Sequence, residues 1–196
     1  MRARYLAAAA ALVAAVSLTM QAIVTLHVPG MAGVGAAAWA MAGYFTILTN
    51  VGVALVLGAS VLRRTAPRAP VALALTVAIL MVGLIYHLLL ARLWSPACLA
   101  WWADQGLHTV VPLLTLAWWL RGAERAGWAD LPAVLVWPLV YGAYALTRGA
   151  STGWFPYPFI DAGALGWGRV AVNIAGMSAG FVLLGTLLLL MAPRRS

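Results

Sequence analysis

The stretch Asp104-Gln105-Gly106-Leu107-His108-Thr109-Val110-Val111-Pro112 sets a carboxylate, an amide, an imidazole and a hydroxyl at the mouth of an apolar run. An ionisable side chain at membrane depth is costly and marks a site. Asp104 and His108 are four residues apart and share a helical face. A carboxylate there fixes the imidazole tautomer and leaves the other ring nitrogen as a general base. The competing role for Asp104 is to cap the start of the helix. A second polar stretch, Tyr44-Phe45-Thr46-Ile47-Leu48-Thr49-Asn50, puts Thr46, Thr49 and Asn50 on one face. A hydroxyl beside a base is the supply needed for covalent acyl transfer. Thr46 is the first choice of nucleophile; Thr49 is its alternative, better suited to hydrogen-bond support. Asn50 and Asn173 can donate to an oxyanion or to neighbouring helices.

The elements that must hold these groups follow from composition. The chain has 196 residues, 65% of them hydrophobic and 8% charged, with mean hydropathy +0.97. That composition belongs to an integral membrane protein. The net charge of +8 does not point to nucleic acid, because the arginines sit at the ends of apolar runs rather than in a basic stripe. The basic side chains are all arginine, a bias that suggests a bacterial, GC-rich source. The lone Cys98 rules out an internal disulfide and a cysteine metal cluster. With three histidines and no cysteine in a helix, no metal and no cofactor is expected.

Six apolar runs are each long enough to span a bilayer: about 5–27, 43–62, 69–93, 104–120, 131–147 and 167–191. The expected fold is all-α, one six-helix transmembrane bundle over residues 1–196. The first run, after the basic head at Arg2 and Arg4, imitates a secretory signal, yet it has spanning length and is expected to stay. Gly33-Val34-Gly35 has no strand before it and is no dinucleotide turn. Arg2, Arg4, Arg63, Arg64, Arg68, Arg121, Arg125, Arg194 and Arg195 fall at one set of helix ends, and Arg92, Arg148 and Arg169 at the other. The positive-inside rule then puts both termini in the cytoplasm of a multi-pass cell-membrane protein, a bacterial inner membrane being the expected location. Trp39, Trp94, Trp101, Trp102, Trp154 and Trp167 form an outer aromatic belt, and Trp118, Trp119 and Trp128 an inner one.

That topology gathers the polar groups at the outer side. Thr46, Thr49 and Asn50 open the second helix; Asp104, Gln105, His108 and Thr109 the fourth; Arg169 and Asn173 the sixth. Tyr86, His87 and Arg92 end the third, and Tyr141, Tyr144 and Arg148 the fifth. Three helix N-termini direct positive dipole ends at this layer, which suits an oxyanion. Glu124 and Asp130 lie on the wrong side for a carboxylate pair with Asp104. The polar connection 148–166 covers the layer, with Trp154 and Tyr157 as candidate pocket walls. Asp161 is expected to cap the sixth helix or to pair with Arg148 or Arg169.

Three landmarks in order, Tyr44 to Asn50, Gln105 to Pro112, and Trp154-Phe155-Pro156-Tyr157-Pro158-Phe159-Ile160-Asp161, resemble those of one family. It holds the androgen-induced and androgen-dependent TFPI-regulating membrane proteins and their bacterial relatives, called Pr6Pr. The resemblance spans all six runs. It implies an intramembrane hydrolase of fatty acid esters of hydroxy fatty acids, with Thr46 as nucleophile and His108 as base. Gln105 stands where the animal proteins carry a further histidine. The expected partner is a lipid or long-chain ester, with no nucleic acid. Two other classes remain: a haem or quinone protein using His87 and His108, and a non-enzymatic membrane module or transporter, against which the two halves show no repeat.

Overall fold

In a computed structural model of the chain, residues 2–93, 95–122 and 126–191 are described. The marks assigned above to Trp94, Glu124, Arg125, Arg194 and Arg195 lie outside the described residues. Nine α-helices account for most of the described residues: α1 (Arg2–Leu26), α2 (Val34–Met41), α3 (Phe45–Arg63), α4 (Ala69–Ile85), α5 (Cys98–Gln105), α6 (Val111–Gly122), α7 (Ala133–Thr152), α8 (Ala162–Leu165) and α9 (Trp167–Met191). No strand occurs among the described residues.

Five helices are long and apolar enough to cross a membrane: Ala3–Leu26, Phe45–Arg63, Ala69–Leu90, Trp128–Thr152 and Trp167–Met191. The chain is therefore a multi-pass membrane protein. Their burial fits lipid as the outer solvent: Leu55, Leu62, Leu139, Leu183 and Leu190 lie exposed, while Val53, Leu57, Leu73, Val77, Ile79 and Phe181 fill the centre.

Two α-helices run into single π-helical turns, α4 into Tyr86–Leu90 and α5 into Gly106–Val110. Each is closed by a bond from five residues on, Ala91 N–H to the Tyr86 carbonyl and Val111 N–H to the Gly106 carbonyl. Pro112, which has no N–H for the His108 carbonyl, lies just after the second turn. α5, this turn and α6 follow without a break from Cys98 to Gly122.

That continuity corrects the expected boundary at Asp104. The helix begins at Cys98, just after Pro96, and the Trp101-Trp102 pair, outside the runs expected above, lies inside it. Asp104 is thus no N-cap, and His108 is well inside the helix. The Gly/Ala segment between the first two expected runs also contains a helix, α2.

Small residues let the helices close on this region. A Cβ on Gly106 would collide with Ser17 Oγ of α1, and one on Gly83 would meet the His108 carbonyl oxygen at 2.9 Å. α1 contributes a stripe of Ala7, Ala10, Ala14 and Ser17, each at most 3% exposed. The helix that imitates a signal segment is a packed member of the bundle.

Candidate active site

The two π turns face each other, and their side chains interlock. Tyr86 donates its hydroxyl to Asp104 Oδ2 at 2.5 Å. Its ring stacks on the His108 imidazole, centroids 3.9 Å apart. His108 Nδ1 lies 3.0 Å from the Asp104 carbonyl oxygen and 3.2 Å from Oδ1 of the same residue. One proton serves both contacts, and the carbonyl has the better geometry for it, since Oδ1 accepts no hydrogen bond. With Nδ1 as donor, Nε2 is left with the lone pair that a base needs.

A cavity of about 480 Å³ is lined by Thr46, Tyr86, Asp104, His108, Tyr157 and residues of α1 and α2. It brings the two expected catalytic side chains together from opposite parts of the chain. Thr46 is the second residue of α3, beside N–H groups that have no partner inside the helix. The Tyr157 hydroxyl rests against the Thr46 hydroxyl and the N–H groups of Phe45 and Thr46. Burial pushes the Tyr157 phenol above its ordinary range, and these bonds pull it part of the way back.

Thr49 is buried, and its hydroxyl accepts from Trp137 Nε1 at 2.9 Å. Asn50 spends both amide protons on carbonyls, Thr46 at 2.9 Å and Leu107 at 3.3 Å, and so ties α3 to the π turn of His108. Asn173 donates to the Phe159 carbonyl at 2.8 Å and anchors the covering loop. Neither asparagine lines the cavity. Asp161 neither caps the sixth expected helix nor pairs with Arg148 or Arg169; it caps the short α8, accepting from the N–H groups of Gly163 and Ala164.

Of the three helix N-termini expected to face this layer, only that of α3 does so. Cys98 and Trp167, which open the other two helices, do not line this cavity.

His87 is exposed and bonds Thr109 Oγ1 through Nε2 at 3.0 Å. It does not line the cavity. Tyr86 touches both histidine rings, stacked on one and edge-on to the other at 5.0 Å. The two imidazoles are thus not presented to one open space, as shared haem ligation requires.

Trp154 packs edge-on against Tyr44, centroids 5.6 Å apart. It forms one side of a sandwich in which the Arg148 guanidinium lies 5.1 Å from its ring and 4.0 Å from that of Trp39. Trp154 thus holds the loop down from outside the cavity, while Tyr157, Pro156 and Pro158 form its wall.

Tyr86 is the residue the sequence reading undervalued. Its only sequence signal is a tyrosine at the end of a helix expected to reach the polar layer. Compared with known proteins, the chain matches no family model, no curated protein and no solved structure.

Proposed function

We propose that this chain is an intramembrane ester hydrolase, with Thr46 as nucleophile and His108 as base, acting on long-chain esters of the kind its three motifs suggest. The observation that carries the reading is that Thr46 and His108 line one cavity while Asp104 and Tyr86 fix the imidazole. In the first half-reaction His108 Nε2 takes the Thr46 proton as Oγ1 attacks the ester carbonyl. The tetrahedral intermediate collapses, the alkoxide leaves with the proton from His108, and the acyl group stays on Thr46. Water then attacks the acyl-threonine with His108 again as base, releasing the fatty acid. In this proposal the oxyanion takes the place of the Tyr157 hydroxyl against the first-turn N–H groups of α3.

The membrane arrangement belongs to the same proposal. Cys98–Gly122, helical throughout, serves as a sixth span beside the five apolar helices. The arginine split then puts both termini in the cytoplasm and the cavity near the outer face of a bacterial inner membrane. A membrane-impermeant thiol reagent should label Cys98, which is exposed, in permeated intact cells. Labelling of a Ser196→Cys, Cys98→Ser protein under the same conditions would sink this topology.

The function is tested with a fluorophosphonate probe on purified protein, the adduct being mapped by mass spectrometry. An adduct on Thr46 that disappears in His108→Ala supports the reading. Hydrolysis of long-chain esters at the full rate by Thr46→Ala overturns it.

A further inference from the structure

Thr46, Tyr157 and Leu90 line a second cavity as well as the first. This chamber, of about 280 Å³, lies among α4, α7 and α9. Its walls are hydrocarbon: Met81, Val82, Ile85, Pro138, Met177 and Phe181 are typical. The few polar groups are committed or sit at the junction. The Tyr141 hydroxyl is bonded to the Gly43 carbonyl at 2.8 Å, and that of Tyr157 rests against Thr46. Ser178 is the remaining hydroxyl.

The two rooms differ in chemistry. The larger carries Asp104, His108, Gln21 and Thr25; no charged side chain lines the smaller. Thr46 stands where they meet. The smaller room is at the lower edge of ordinary ligand pockets, roughly 300–1,000 Å³. It suits one alkyl chain rather than a ring system or two chains side by side. Its wall includes Leu139, half exposed on the lipid side of α7, so the bilayer is a direct source of such a chain.

We infer that the α4–α7–α9 chamber binds the alkyl chain of a single acyl group, with the carboxyl carbon at Thr46 and the alcohol portion of an ester in the larger cavity. The assignment of acyl and alcohol sides rests on the hydrolase reading; the chain site itself does not. Gly142 then governs the usable length. It lines the chamber, and a Cβ built there meets nothing within 4 Å, so a larger side chain enters open space rather than a neighbour.

The test uses the full-length protein in nanodiscs with a palmitate analogue carrying a terminal photoreactive diazirine. Crosslinks should concentrate on peptides covering 138–146 and 174–181, and should fall several-fold in Gly142→Leu and in Ser178→Leu. Crosslinks confined to residues of the larger cavity, or spread over the lipid-facing surface and indifferent to both substitutions, would overturn the inference. In parallel, p-nitrophenyl esters from butyrate to palmitate are assayed. The ratio of long- to short-chain rates should drop about tenfold in Gly142→Leu, as lost chain contacts lower binding energy available to the transition state. Failure of the wild-type protein to cleave any ester, with the crosslinks still in the chamber, would remove the hydrolase reading and leave the chain site standing.

Discussion

Tyr86 lays its ring on the imidazole of His108, with planes 18° from parallel, while its hydroxyl holds the carboxylate beside that imidazole. One residue thus fixes two partners. Tyr86→Phe keeps the stack and removes the bond to Asp104. A hydrogen bond to a charged group is worth about 1.5–3 kcal/mol, so kcat should fall roughly ten- to a hundredfold with little change in KM. A purely structural role for Tyr86 would instead show as a lower Tm with kcat intact.

His108→Ala should lower turnover by about 10²–10⁴, the usual worth of general-base help. His87→Ala should cost far less, because His87 touches Thr109 and not the cavity. Steady-state assays of the two proteins, matched by circular dichroism, decide the assignment. A dead His87 variant beside an active His108 variant would reverse it.

Thr46→Ala should abolish both turnover and probe labelling. Thr46→Ser retains the hydroxyl and should keep measurable activity. Thr49→Ala should mainly destabilise the fold, since it leaves Trp137 Nε1 without its acceptor, at a cost of about 1–3 kcal/mol. Thermal melts in detergent separate this loss from a catalytic one.

Alkaline pH tests the covering loop. The Tyr157 phenol is raised above its ordinary value of 10.0 by burial, so the folded protein favours the neutral form. Its contribution to stability is fully present below pH 10 and is lost as pH rises through the folded-state value. The wild-type Tm should therefore fall more steeply above pH 10 than that of Tyr157→Phe. Parallel curves for the two proteins would remove Tyr157 as the group responsible.

Gly106→Ala should destabilise by about 1–3 kcal/mol through overpacking on Ser17. Ser17→Gly removes both atoms a new Cβ would strike, so the double variant should recover much of the lost Tm. A double variant no better than Gly106→Ala would show that the glycine matters for the π turn itself.

Much of this arrangement was legible because polar side chains are rare in so apolar a chain. Thr46 and His108 stood out by type, and the cavity does contain both. Helix boundaries were less legible around Asp104. Pro96 and a tryptophan pair resemble a loop, yet the helix starts at Cys98 and exposes Trp101 and Trp102 on its outer face. That shift removes the capping role for Asp104 and leaves the one beside His108. The π turns left no mark that a 3.6-residue period would detect, and without them the facing of Tyr86 and Asp104 is not foreseeable. Of the two roles open to Asn50 and Asn173, oxyanion donor or support to a neighbouring element, they take the second, and neither backbone partner, Leu107 or Phe159, is near in sequence.

The pairing of α1 with the helix of His108 has a consequence for biosynthesis. Ser17 meets Gly106, and Ala3 meets Gly122, so the two helices run antiparallel along most of their length. α1 is synthesised before its partner, which is complete only after Gly122. Until then the side of α1 that carries Ala3 and Ser17 lacks the helix it packs against. The nascent protein therefore passes through a stage in which α1 is packed on α3, and the histidine helix is the latch that closes its other side.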